Sequence, residues 1–332
     1  MEYRSFGNLG WNVSVIGFGA WAIGGDMWGP QDDDASKRAI HSALDFGINF
    51  IDTAQGYGKG HSEELIGEVL SQRSEEVIVA TKVPPIKHPW PPPDDADGSE
   101  FYPASYIIEA CEKSLKRLRR DYVDIYQFHT WASSFNLNDE VLGAMERLRE
   151  TGKIRAAGVS VPDTTPDNVI GALAMDRVRS VQVIYNLFDQ YPTRNLFPAA
   201  ERFGTGIIVR VPFDEGALTG KFTAETTFPE SDVRRHYFRG RNLMAVIDRV
   251  DEIEAFKNRR HPEMSMAEYA LRFALCHPAV HTVIPGMRNG HQVEMNVAAG
   301  DGDALDSEEL AELRRFAWRK DFWNEEVDHQ RT

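Results

Sequence analysis

Eight short apolar runs punctuate the chain, at 15–19 (VIGFG), 48–52 (INFID), 77–82 (VIVATK), 123–128 (VDIYQF), 154–160 (IRAAGVS), 180–185 (SVQVIY), 207–211 (IIVRV) and 280–284 (VHTVI). Amphipathic segments of helical length alternate with them, at 33–46, 62–71, 104–119, 138–150, 165–174, 195–204, 263–276 and 290–299. A strand buried on both faces reads as a continuous apolar run, and regular alternation with helices marks parallel βαβ units. Eight such units predict an α/β chain folded as a (β/α)8 TIM barrel. The rival doubly wound sheet needs a G-x-G-x-x-G turn opening a helix after the first strand. Gly17, Gly19, Gly24 and Gly25 do not have that spacing, and no helical pattern starts directly behind them. Local signals agree with the alternation. Ser62 and Asn138 stand where helices should start, and "DFGIN" and "ETGKI" each put a glycine between a helix and the following strand.

Three stretches fall outside the eight units. Residues 1–14 predict an N-terminal β-hairpin turning at "GNLG", beneath the barrel. Residues 84–103, rich in proline, and 212–241 predict long loops after the third and seventh strands, and 242–259 and 307–318 predict two extra helices. In this fold, loops that follow strands lie at the C-terminal face, where active sites are built. No boundary divides the sequence, so 1–332 is expected to be a single barrel domain. The balance of 37 basic and 51 acidic residues, a net −14, argues against nucleic acid or an anionic membrane as partner. Two cysteines, Cys111 and Cys276, support neither a disulfide framework nor a cysteine-rich metal site, and no histidine has a partner at ligand spacing. With neither a leader-like start nor an apolar stretch of membrane-spanning length, the expected location is the cytoplasm.

On the barrel reading, the ends of strands two, three and four bring polar residues to one mouth: Asp52 with Tyr57 just beyond, Lys82, and His129. Each has a bland explanation alone, as a turn cap, a packed ring, a snorkelling amine or a hydrogen-bonded core histidine. Four ionisable groups converging on one mouth need mutual partners. Lys82 beside Asp52 makes an ion pair, and a phenol beside that ammonium is expected to have its pKa lowered. A tyrosine so placed can act as general acid toward an oxygen becoming an alkoxide.

The blocks "GFGAW", "NFIDTAQGYG", "VATKV", "DIYQFH", "GVS", "QVIYN", "GALTGKF" and "VIPGMRNGHQVEMN" run in the order seen in the aldo-keto reductase superfamily, which the chain resembles over nearly its whole length. The resemblance implies a barrel that binds a nicotinamide cofactor without a Rossmann motif and reduces aldehydes and ketones. It also implies a catalytic tetrad of Asp52, Tyr57, Lys82 and His129, with Tyr57 as proton donor. On the cofactor side it implies Ser160 and Gln182 at the carboxamide, and Pro212, Leu218, Gly220 and Lys221 along the pyrophosphate. Gly286, Arg288, Gln292 and Asn296 fall at the adenosine end. Arg288 is the candidate for a 2′-phosphate, which favours NADPH over NADH; Arg234, Arg235, Arg239 and Arg241 could form a lid or a solvated charge run.

Two positions depart from the family pattern. Val161 stands where an asparagine is usual, and Arg210 where a tyrosine usually stacks on the nicotinamide. A guanidinium can stack on a flat ring but would disfavour the oxidised, cationic form; alternatively Arg210 is paired with Asp214 or Glu215. Trp21, Trp131 and Trp90 are expected to wall the pocket of a small carbonyl substrate. Two rival readings stay open: a cofactor-binding, redox-sensing regulatory subunit, and a Schiff-base aldolase using Lys82. The branch of general stress proteins and inositol-operon reductases is the nearest in pattern.

Overall fold

The computed structural model describes residues 1–326, so the last six positions of the expected domain lie outside the described residues. A two-stranded antiparallel hairpin opens the chain, β1 (Tyr3–Ser5) against β2 (Asn12–Ser14). Eight parallel strands follow in sequential order: β3 (Phe18–Gly19), β4 (Phe50–Asp52), β5 (Ile78–Val83), β6 (Val123–Phe128), β7 (Ile154–Ser160), β8 (Ser180–Ile184), β9 (Gly206–Arg210) and β10 (Thr282–Val283). Parallel bridges Ile16↔Val283 and Gly19↔Gly286 bring the last strand back to the first. The Gly17 amide donates to Val283 O and the Val283 amide to Val15 O, both at 2.8 Å. The eight-stranded barrel read from the alternation is therefore present, with its seam held by short strands.

The helices lie outside, beginning with Asp33–Asp45, His61–Leu70, Ala104–Leu118 and Asp139–Glu150. Leu196–Phe203, Met266–Leu275 and Gly290–Ala298 continue the ring. Asn138 caps its helix through Glu140 N and Val141 N, as its position suggests. Ser62 does not act as a cap. Its helix starts at His61 behind Gly60, and the Ser62 hydroxyl is buried between Thr53 Oγ1 and Ala20 O. The expected helix 165–174 splits into a 3-10 turn, Pro166–Val169, and a short helix, Ile170–Ala174. The extra helices are Asn242–Arg260 and Ser307–Leu313; the second is shorter than expected and runs directly into a 3-10 turn, Arg314–Phe316.

Strand alternation sorts the barrel interior by height. Phe50, Ile78, Ala80, Ile125, Ile208 and Ile284 form one apolar cluster with Phe6 and Val13 of the hairpin region, and Phe6 stops the bottom of the barrel. Two residues further up the same faces stand Asp52, Lys82, Gln127 and Arg210. The register pairs Asp52 with Ala80, Lys82 with Gln127, Ser160 with Gln182 and Ile184 with Arg210. Hydrophobic burial thus fills the lower barrel, and the polar layer is confined to its mouth.

The seam at Gly19 is too close for a side chain. A Cβ there would lie 2.5 Å from Ile284 O and 2.8 Å from Pro285 O, both backbone atoms just after the closing strand. Gly19→Ala is expected to destabilise the barrel by about 1–3 kcal/mol, the usual range for overpacking. Denaturant unfolding midpoints would check it, and a wild-type midpoint would show that the seam can spread.

Candidate active site

The backbone around Tyr57 is shaped by one close contact. Gly58 has φ +60, and a Cβ on it would fall 2.2 Å from Gly24 O; one on Gly24 would fall 2.8 Å from Gly58 N. The turn after β4 is therefore pressed against the loop after β3. Gly56 has an ordinary helical φ and open space around it, so only the second glycine of the pair is needed. The turn holds the Tyr57 ring over the mouth, stacked 6.1 Å from Trp21 and edge-on to His129 at 5.7 Å.

Beneath Tyr57, Lys82 is buried at 0% exposure. Its ammonium donates to Asp52 Oδ1 at 2.6 Å, to Thr53 O at 2.9 Å and to Tyr57 Oη at 3.1 Å. An ammonium has three N–H donors and no acceptor, so all three are in use. The Asp52 carboxylate is completed by Gln182 Nε2 at 2.7 Å and Gln127 Nε2 at 3.3 Å, both donating to Oδ2. Because Tyr57 Oη accepts from Lys82, the phenol's own hydrogen is left to donate elsewhere.

Charges follow from this geometry. Burial opposes the Lys82 charge, but the attraction of Asp52 and Tyr57 outweighs it and holds the ammonium above its ordinary value. Burial likewise lifts Asp52, against the pull of Lys82 and its hydrogen bonds. The expected depression of the Tyr57 pKa does not occur. Burial raises it above the ordinary phenol value of 10.0, and the lowering by Lys82 is the smaller effect. His129 is held well below 6.5 by burial, with Lys82 and Arg210 adding to the effect, and its Nδ1 is buried without a partner. A protonated phenol and a neutral imidazole thus share the mouth at neutral pH. A Schiff-base role for Lys82 is disfavoured, because the amine is charged, sealed and fully bonded.

Ser160 ends β7 beside Gln182 in β8. Arg210, the last residue of β9, donates from Nη2 to Asp163 Oδ1 at 2.6 Å and to Val161 O at 3.0 Å, leaving Nε buried and unpartnered. Its carboxylate partner is thus Asp163, rather than Asp214 or Glu215. Burial works against the Arg210 charge, and Asp163 holds it on. Beyond it the expected strand residue Val211 turns to φ 53, followed by Asp214 at φ 46 and Glu215 at φ 55. Left-handed non-glycine residues cost about 1–3 kcal/mol each and gather at functional sites. Burial and the neighbouring Asp214 and Asp163 push Glu215 up to about 8, while burial pushes Asp189 up to about 6.

Further along the chain Gly220 and Lys221 are exposed, and Pro212 and Leu218 are buried. Leu218 has 0% exposure and packs its side chain in the core. Gly286 is exposed, Gln292 half-buried and Asn296 buried. Arg288 is bound by neutral groups, its Nε donating to Gln31 Oε1 at 2.6 Å and its Nη2 to Pro30 O at 2.8 Å. Among the described residues no carboxylate lies within ion-pair distance of it. Burial and the neighbouring Arg234 lower its pKa. An unneutralised guanidinium just before the helix Gly290–Ala298, with a second guanidinium nearby, is a fitting donor set for phosphate. Arg234 is bidentate on Asp232 and lies 4.7 Å from the Trp28 ring. Arg235, Arg239 and Arg241 continue from it; Arg239 donates to Phe322 O.

The pocket walls partly differ from expectation. Trp90 is exposed with its ring 5.0 Å from His129, and Trp21 lies against Tyr57. Trp131 does not line the mouth. It is fully buried among Phe128 and Phe135 with Nε1 donating to Asn136, because the loop after β6 folds it back onto the outer core. Trp28 takes a place in the wall instead, edge-on to Trp21 at 5.3 Å. Gln127, Trp28, Asp163 and Gln31 were not singled out from the sequence. Only Gln127 had a signal there, an amide at an inward position of β6.

A family model described as aldo/keto reductase family matches residues 15–317. The Bacillus subtilis aldo-keto reductase YhdN is 34% identical over 319 residues, covering 94% of this chain and 92% of its own. The NADH-specific methylglyoxal reductase of Escherichia coli is 30% identical over 335 residues, 94% of this chain and 99% of its own. The solved structure of the glycerol dehydrogenase AKR11B4 from Gluconobacter oxydans superposes with a TM-score of 0.78 at 31% identity, covering 95% of this chain and 94% of its own.

The buried pair generates a stability test. Asp52→Leu strands the Lys82 ammonium without a counter-charge and is expected to cost about 3–5 kcal/mol, whereas adding Lys82→Met should recover much of the loss. Unfolding free energies of the three variants measure the coupling. Simple additivity of the two single effects would show that the pair is not a unit.

Proposed function

Since the chain belongs to the aldo/keto reductase family, we propose that it is an NADPH-dependent oxidoreductase that reduces small aldehydes and ketones, short sugars included, to alcohols. The observation that carries this reading is the direction of hydrogen bonding at Tyr57: Lys82 donates to Oη, which leaves the phenol hydrogen for a substrate oxygen. When bound, the reduced nicotinamide supplies hydride to the carbonyl carbon. Tyr57 gives its proton to the carbonyl oxygen as the π bond opens. The phenolate left behind is neutralised by the Lys82 ammonium at 3.1 Å, itself fixed by Asp52. Neutral His129 orients the carbonyl oxygen against Tyr57, and Trp21, Trp28 and Trp90 exclude water and narrow the pocket to short substrates. The methylglyoxal and glycerol chemistry in the names of two relatives supports a small oxygenated substrate.

On the cofactor side, Ser160 and Gln182 would meet the carboxamide, and Arg210 would lie beside the nicotinamide ring. The backbone of 212–221 with Lys221 would follow the pyrophosphate, and Gly286, Gln292 and Asn296 the adenosine. Arg288 is the reason for preferring NADPH, since among the described residues its guanidinium has no carboxylate within ion-pair distance and is bonded to neutral groups. The relative named as NADH-specific makes this preference worth testing directly. Arg288→Leu is expected to raise the NADPH dissociation constant about tenfold or more while leaving that for NADH nearly unchanged. Equal losses for both cofactors in a fluorescence titration would remove Arg288 from 2′-phosphate recognition.

Tyr57→Phe should abolish nearly all reduction of an aldehyde and sugar panel while NADPH still binds. The wild-type rate should hold across the neutral and mildly alkaline range, because burial keeps the phenol protonated beyond its ordinary value of 10.0. His129, held neutral, should contribute no inflection near 6.5. A rate that falls through neutrality, or survives Tyr57→Phe, would assign the proton to another group. A wild-type chain that binds NADPH and turns over no carbonyl would be a cofactor-binding regulatory subunit instead.

A further inference from the structure

Downstream of the helix Ser307–Leu313, the chain runs back across the barrel's C-terminal face. Trp318 N donates to Phe188 O at 2.8 Å in the loop after β8, and Arg319 reaches Thr164 O after β7. Directly after these contacts the Lys320 side chain turns inward until it is only 5% exposed. Its ammonium meets Asp214 Oδ1 at 2.5 Å. Four rings box it in, with centroids 5.3 Å (Phe188), 5.5 Å (Phe322), 5.8 Å (Trp318) and 5.9 Å (Tyr237) away. A desolvated ammonium among ring faces is an attractive arrangement, and here it is aimed at one carboxylate.

That carboxylate sits in an unusual stretch of backbone. Asp214 follows Arg210 by four residues and lies in the left-handed region, as do Val211 and Glu215 on either side of it. Inside the loop, Asp214 N bonds Val211 O at 3.2 Å. From outside, Asn186 Nδ2 holds Val211 O at 2.9 Å, and the Tyr237 hydroxyl donates to Asp214 Oδ1 at 3.0 Å. Asp189 and Glu215 each feel the charges of both Asp163 and Asp214. Against four carboxylates, Arg210 neutralises the side facing the reaction centre, and Lys320 the side facing the C-terminal segment.

We propose that Lys320 is a positioning residue of the active site: its boxed ammonium, through Asp214, holds the strained loop after β9 in the shape that receives the cofactor. The C-terminal segment thereby becomes part of the binding site without touching the cofactor. Lys320 joins Asn186 and Tyr237 in the external hold that three left-handed residues require, and it supplies the counter-charge for Asp214. This inference rests on the nicotinamide-binding reading above, and it concerns a residue that the resemblance left without a role.

The test uses the full chain with Lys320→Met, Lys320→Arg and Tyr237→Phe. Lys320→Met should raise the NADPH dissociation constant about tenfold by fluorescence titration, with KM for cofactor rising in step and kcat at saturation nearly unchanged. Lys320→Arg should recover most of the affinity, and Tyr237→Phe, which removes only the second bond to Asp214, should show a smaller loss in the same direction. Without cofactor, Lys320→Met should also hasten tryptic cleavage at Lys221, next to the loop. A folded Lys320→Met with unchanged affinity and unchanged cleavage overturns the proposal, as does a kcat loss with affinity intact. If Lys320→Met does not fold, wild-type affinity in Tyr237→Phe together with no rescue in Lys320→Arg overturns it. If the wild-type chain binds no nicotinamide cofactor, the functional reading falls, and the cleavage comparison still decides the role of Lys320.

Discussion

The Lys82 ammonium is the point on which the mouth of this barrel depends. Three N–H donors meet three oxygens from β4 and the turn behind it, and the site has no slack. A charge with no exposed surface would normally be expelled or neutralised. It persists because Asp52 supplies the counter-charge and two glutamines from β6 and β8 complete that carboxylate. Four strands are thus tied together through one buried ion pair. The hydrogen-bond direction that follows from it decides which way the Tyr57 proton faces.

The second half of the site is governed by carboxylates. Asp163 fixes Arg210, and Lys320 with Tyr237 fixes Asp214, so two cations frame an acidic cluster beside the reaction centre. Burial pushes Asp189 and Glu215 of this cluster toward their neutral forms, and the neighbouring cations oppose it. The backbone between Arg210 and Gly216 departs from ordinary strand or turn geometry at three non-glycine positions. Such a conformation persists only where its surroundings over-determine it, and here those surroundings come from the loop after β8 and from the C-terminal segment. Around Arg288, just before the helix Gly290–Ala298, the balance reverses: Arg288 and Arg234 share the neighbourhood of one carboxylate, Asp232.

Much of this was legible in the sequence for a simple reason. Strands buried on both faces must be apolar, and a polar residue at the end of such a run marks the height at which the core stops. Asp52 and Lys82 stand out on that ground, and His129 directly follows such a run. Element limits were less legible. Val211 belongs to its apolar run by composition, but its backbone turns to positive φ and ends the strand one residue early. Ser62 looks like a helix cap, but a tertiary contact with Thr53 and Ala20 claims its hydroxyl. Trp131 and Trp28 are both tryptophans in loops near strand ends, and nothing local says which one faces the mouth. The answer is set by loop packing: Phe128 and Phe135 draw Trp131 into the outer core.

The sequence by itself determined the barrel, the height of its polar layer and the four residues assembled there, because strand periodicity and register are local rules that carry side chains to known faces. Only the tertiary structure decided the electrostatic partners and the sign of the result. It gave Arg210 to Asp163 rather than to Asp214 or Glu215, and it gave Asp214 to a lysine 106 residues away. It also raised the Tyr57 pKa where proximity to an ammonium alone would lower it. The physical reason is common to all three. Charge pairing and desolvation depend on distance and burial in three dimensions, and loops of unequal length set those quantities without leaving a periodic trace in the sequence.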